Sequence, residues 1–168
     1  MDFLEIMNSY FRSEKIAALC LILPAGLVML ACAYLLWRGE SRTFALGGII
    51  PLIVFGLILA GIGAGVGFGS SSKAATIERQ YAETPGIVAK SELQRMEKVI
   101  RNFHTTLLVY GFLALIGLGA YYFVPLDFAK SAGFVLIIAS GLGLAIDSTA
   151  ERRAEPYLAA LNEIAKRN

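Results

Sequence analysis

Four stretches of this 168-residue chain carry no Asp, Glu, Lys or Arg: 16–37, 43–72, 104–126 and 131–146. A helix needs about 20 consecutive apolar residues to cross a hydrocarbon core about 30 Å thick. The first and third stretches have that length. The second has room for a span over 44–68. The fourth is short, but 127–129 precede it, and Lys130 can extend its ammonium to the interface. The expected spans are therefore about 16–37, 44–68, 105–124 and 128–146, with a loop over 69–104 and a tail over 147–168. Four buried helices of a soluble bundle would each keep a polar stripe, and none of these does. Composition agrees: 57% of the residues are hydrophobic and 17% charged, against about 45–50% and 25% in soluble domains. A net charge of +2 gives no field that would hold nucleic acid. The expected fold is all-α: one integral-membrane domain over 1–168, with four transmembrane helices arranged as two similar hairpins.

Details within the spans fit this reading. Tyr34 and Trp37 end span one, and Tyr121 and Tyr122 end span three, where interfacial aromatics belong. Pro24 and Pro51 lie inside spans one and two and are expected to bend them. Ala31-Cys32-Ala33 offers a weak cleavage signal, but the apolar run continues through Tyr34-Leu35-Leu36-Trp37, so span one is expected to be retained.

Lys and Arg divide unevenly. The N-terminal segment, the middle loop and the tail carry 12 of the 15, and the two short turns carry Arg38, Arg42 and Lys130. The positive-inside rule then places both termini in the cytoplasm of a multi-pass protein of the cell inner membrane. The first turn is short and dense in arginine, so the orientation rests on the total count. The charged segments are amphipathic. Leu93, Met96, Ile100 and Phe103 repeat at helical spacing, with Arg95, Lys98, Arg101 and Asn102 elsewhere around the helix. Phe3, Met7, Tyr10 and Phe11 form one such face, and Leu158, Leu161 and Ile164 another. Interfacial anchoring on anionic lipid heads is the expected role of all three. Gly86 is expected to break the chain, Ser91 with Gln94 to cap the next helix, and Glu97 to pair with Arg101.

The two halves also resemble each other. Leu4-Glu5-Ile6-Met7 lies 89 positions before Leu93-Gln94-Arg95-Met96. Glu78-Arg79, Ala82-Glu83 and Pro85 parallel Glu151-Arg152, Ala154-Glu155 and Pro156. Either a parallel duplication or the ordinary likeness of membrane hairpins accounts for this.

Catalytic groups are scarce in the sequence. Apart from Lys130 at the edge of the fourth, no span holds a charged residue, whereas intramembrane ionisable groups mark proton relays and ion pathways. Small multidrug exporters depend on such a carboxylate, and glutathione-dependent four-span enzymes place arginines and glutamates in their bundle. His104, the one histidine, sits at a membrane boundary. Cys20 and Cys32 are about 18 Å apart along one helix and cannot bond to each other. No catalytic residue, cofactor or metal site is expected.

Glycine is what remains. Span two carries overlapping GxxxG pairs, Gly61 with Gly65 and Gly63 with Gly67, beside a row of Gly56 and Ala60. Such small-residue faces let helices approach closely in lipid. Gly56, Ala60, Gly61, Gly63, Gly65 and Gly67 are therefore the candidate face, either for packing within the chain or for a partner. In hairpin layout the chain resembles the small four-span immunity proteins that protect bacteria from their own pore-forming toxins. The resemblance implies a non-enzymatic protein that recognises a toxin's hydrophobic helices within the bilayer. The alternative is an accessory or transporter subunit of a larger membrane complex. The expected partners are the lipid bilayer and either a membrane-inserting toxin or another integral membrane protein; a homo-oligomer fits the same features, and nucleic acid does not.

Overall fold

A computed structural model of the protein describes residues 3–39 and 42–167; Met1, Asp2, Glu40, Ser41 and Asn168 lie outside them. Four long helices account for nearly all of it: α1 (Phe3–Arg38), α2 (Arg42–Glu83), α3 (Pro85–Phe123) and α4 (Asp127–Arg167). Each is long and apolar enough to cross a membrane. The helices run well past the charge-free stretches, into the charged segments that adjoin them.

Proline explains the one interruption. A proline has no N–H to give to the carbonyl four residues before it. Pro24 would orphan the carbonyl of Cys20, and just there the chain adopts a π-helical turn over Ala18–Ile22, with the Leu23 N–H reaching Ala18 O. Pro51 and Pro156 are taken up inside α2 and α4 without a break. The link between α2 and α3 is Thr84 alone, and Pro85 opens α3. The expected break at Gly86 is therefore displaced to Thr84, since proline suits a first helical turn. Ser91 lies inside α3 and turns its hydroxyl back to Val88 O at 3.0 Å, so it caps nothing. The ion pair on this segment is Arg95 with Glu92 at 2.7 Å, in place of the expected Glu97 with Arg101.

α1 lies along α2, α3 lies along α4, and α2 packs on α4; α2 and α3 meet sparsely. Across the spans the order is thus α1, α2, α4, α3. Close contacts fall at small residues. A Cβ on Gly26 would sit 2.5 Å from Ala60 N, and Gly133 and Gly117 meet backbone to backbone. In lipid, where no hydrophobic force drives helices together, such approaches supply the packing.

The two ends of the bundle differ in kind. In the middle, large apolar side chains point away from the protein: Leu57, Leu108, Phe112 and Leu115 are 59–77% exposed. An exposed apolar band of this extent has no place in water. At one end the first segment of α1, the last of α2, the first of α3 and the last of α4 converge on a core of Met7, Phe11, Ile77, Val88, Met96, Tyr157 and Leu161. Met7, Met96, Tyr157 and Leu161 are completely buried. This corrects the expectation of interfacial anchoring: the three apolar faces bury one another, and α2 contributes a fourth.

Candidate docking face and polar cavity

The glycine-rich face of α2 divides in two. Gly56 packs against Leu30 and Gly26, Ala60 against Gly26, Gly63 against the backbone of Leu23, and Gly67 against Leu19. These residues hold α1. A Cβ added at Gly61, Gly65 or Gly69 would meet nothing within 4 Å. The separation follows from 100° per residue: positions 56, 60, 63 and 67 share one side, and 61, 65 and 69 the side facing away from α1.

Beside that open row lies a gap between α2 and α3, floored by α4. It is an apolar groove of about 580 Å³, lined by Gly47, Val54, Ile58, Val109, Leu113 and Leu136 among others. A similar groove of about 650 Å³ lies between α1 and α4, with Val28, Cys32, Phe44, Leu52, Phe134 and Ile138 on its walls.

Only the α2–α3 groove leads to charge. Leu59 and Tyr110 line it and also line a cavity of about 300 Å³ toward the charged end of the bundle. Glu14, Ser70, Lys73, Arg95 and Asp147 are on that cavity's walls, with Tyr10, Phe11, Phe103 and Gly65 between them. Two of its charges are satisfied within the chain. Glu14 accepts a hydrogen bond from Arg153 at 3.0 Å, and Arg95 donates two to Glu92 Oε2 and Oε1 from Nε, at 3.0 Å each, and one from Nη2 at 2.7 Å. Lys73 and Asp147 make no ion pair among the described residues. Lys73 is exposed and Asp147 half-buried. Burial pushes the Asp147 carboxyl above the usual carboxylate range.

Behind the cavity wall is a polar cluster inside the apolar core. Glu92, nearly buried, accepts from Arg95 and from the hydroxyl of fully buried Tyr157 at 3.2 Å. Tyr10 stacks on Tyr157 with ring centroids 5.0 Å apart, and the Arg95 guanidinium lies over the Phe11 ring at 5.9 Å. Burial, and then the charge of Glu14, pushes Tyr10 up to about 12. Burial and Glu92 push Tyr157 up as well. Burial works against the Arg95 charge, but the hydrogen bonds and charge of Glu92 outweigh it and the net shift is upward.

The other singled-out residues sit apart from the cavity. His104 Nε2 is 3.4 Å from Glu151 Oε1 on a largely exposed surface. Cys20 and Cys32 are free thiols on exposed faces. The sequence pattern sets Arg95 on the outer side of its helix and does not single out Glu92, Lys73 or Asp147. A signal is nonetheless present: Val88, Glu92 and Met96 are spaced by four, so Glu92 shares the buried face. No protein-family model, curated protein or solved structure matches the chain.

Proposed function

We propose that this is a non-enzymatic, multi-pass protein of the bacterial inner membrane that works by holding a hydrophobic helix of another protein against α2. Both termini and the α2–α3 link are cytoplasmic in this reading, because they share the end that collects 12 of the 15 basic residues. The observation that carries the proposal is the uncovered row of Gly61 and Gly65 beside glycines that are tightly covered. A helix can approach that row as closely as α1 approaches the other side. The architectural resemblance makes the partner a membrane-inserting, pore-forming toxin, and the role immunity by neutralisation within the bilayer.

The reading includes two similar hairpins. What supports them is the lining of the two grooves. Phe44, Leu52 and Phe134 of one correspond to Phe128, Leu136 and Ile50 of the other, and Ile138 to Val54, each 84 positions apart. The charged segments ahead of spans one and three align instead at 89, and those after spans two and four at 71–73, so a duplication would carry gaps where spans meet the bundle end. Two equivalent grooves also favour a second reading, an accessory subunit with a neighbour on either side.

The test is protection of cells against a membrane-inserting, pore-forming toxin, with membrane abundance measured in the same cells. Gly61→Ile and Gly65→Ile are expected to keep abundance and lose protection. Gly63→Ile, which pushes into Leu23, is expected to lose abundance first. Protection unchanged in the first two variants would exclude docking at this row. A wild-type chain that gives no protection but purifies in fixed ratio with a larger complex would select the subunit reading.

A further inference from the structure

The charges of the polar cavity single out one kind of occupant. Glu14 and Arg95 already have partners, which leaves one cation, Lys73, and one anion, Asp147. A half-buried carboxylate without a cation lacks full hydration and is stabilised by an incoming ammonium. An exposed lysine on the rim is a point-charge site for a phosphate. The cavity adjoins an apolar groove that opens sideways between α2 and α3, the two sharing Leu59 and Tyr110 in their walls. From Lys73 to Ile58 the helix rises roughly 22 Å, room for a head group and a chain that crosses half of a core about 30 Å thick.

We propose that this cavity and groove bind one phospholipid with a primary-amine zwitterionic head group. Its ammonium lies toward Asp147, its phosphate toward Lys73, and one acyl chain along the α2–α3 groove. The α1–α4 groove has no charged lining residue and serves as an internal control. This site does not depend on a partner helix at Gly61.

The experiment reconstitutes the full chain into vesicles of equal parts dioleoyl phosphatidylethanolamine and dioleoyl phosphatidylglycerol. The protein is re-extracted in mild detergent, and the lipid retained per chain is identified by native mass spectrometry. One phosphatidylethanolamine per chain is expected, enriched about tenfold over phosphatidylglycerol. Tenfold corresponds to 1.4 kcal/mol, at the lower edge of the range for one hydrogen bond to a charged group. Asp147→Asn keeps the side chain's size and is expected to bring the retained ratio back to that of the bulk. Lys73→Gln, on the exposed rim, should lower retention of both lipids. Ile58→Trp, which fills the groove, should abolish retention, while Val28→Trp in the other groove should leave it unchanged. Retention at the bulk ratio by the wild-type chain would overturn the proposal. So would enrichment of phosphatidylglycerol, an Asp147→Asn variant that selects as before, or a second copy of the chain in place of lipid.

Discussion

Glu92 carries a cost that its neighbours offset. It lies between Val88 and Met96 on the buried face of α3, and both its oxygens are used by Arg95 and Tyr157. Tyr157→Phe keeps the ring in the core and removes one donor. A loss of about 1 kcal/mol is expected, read as a lowered thermal midpoint in detergent. Arg95→Met takes away the counter-charge of a nearly buried carboxylate and should cost more, about 2–3 kcal/mol. The pH dependence follows from two shifts with the same sign. Tyr10 ionises near 10.0 unfolded and about 12 folded. Its contribution to stability is complete below pH 10 and is lost as pH rises toward 12. The difference between the wild-type chain and Tyr10→Phe should therefore change across that window only. Asp147 is also raised, from 3.8. Its charged form thus disfavours folding at neutral pH, and Asp147→Asn should be the more stable chain there, with the gain fading as pH falls toward 3.8 and absent below it. A site kept at a cost to stability fits a residue retained to meet a ligand. None of this is evident from Arg95's position in the sequence. An amphipathic repeat tells which residues are apolar, but a carboxylate placed on the same face reads as noise until its donors, 65 positions away in the case of Tyr157, are in place.

Helix continuity separates what a hydropathy pattern can reveal from what it cannot. The four spans are legible because a charge-free run of 16 or more residues, four times over in a chain this short, fits a bilayer and little else. The fate of the charged segments is not. An apolar face on a short helix satisfies itself equally well on a lipid surface or against three other helices, and the choice depends on whether those helices arrive together. Here they do, since every span ends in such a segment on the same side. The consequence is measurable. Leu161→Ala empties a completely buried position and should cost about 2–5 kcal/mol. Leu115→Ala, 68% exposed on the lipid side, should change stability little. The glycine row follows the same rule. Its composition is readable, but the division between Gly63 and Gly67, which hold α1, and Gly61 and Gly65, which hold nothing, depends on where α1 settles. Gly63→Leu should lower the thermal midpoint sharply, because a Cβ there would lie 2.6 Å from Leu23 N. Gly61→Leu should leave it unchanged or raise it slightly, leucine being the better helix former.

As a whole, the molecule is a bundle of four helices long and apolar enough to cross a membrane, with a small core at one end and lateral openings along its length. The parts that suit recognition lie along the apolar helices and at their charged end: two apolar grooves, an open glycine row and a charged cavity under one groove. Reporter fusions at the C-terminus and within 82–89 should be cytoplasmic, and those at Gly39 or Asp127 periplasmic. The reverse pattern would invert the placement of the bundle core. The central claim is that another protein's helix occupies the face of α2 at Gly61. A photo-crosslinking residue placed at Gly61 in living cells tests it most directly, with the same residue at Gly63 as the control that faces α1. With toxin present, position 61 is predicted to give an adduct to the toxin polypeptide, absent when toxin is absent, while position 63 gives only crosslinks within the chain. Lipid adducts alone from position 61, identical with and without toxin, would contradict the account.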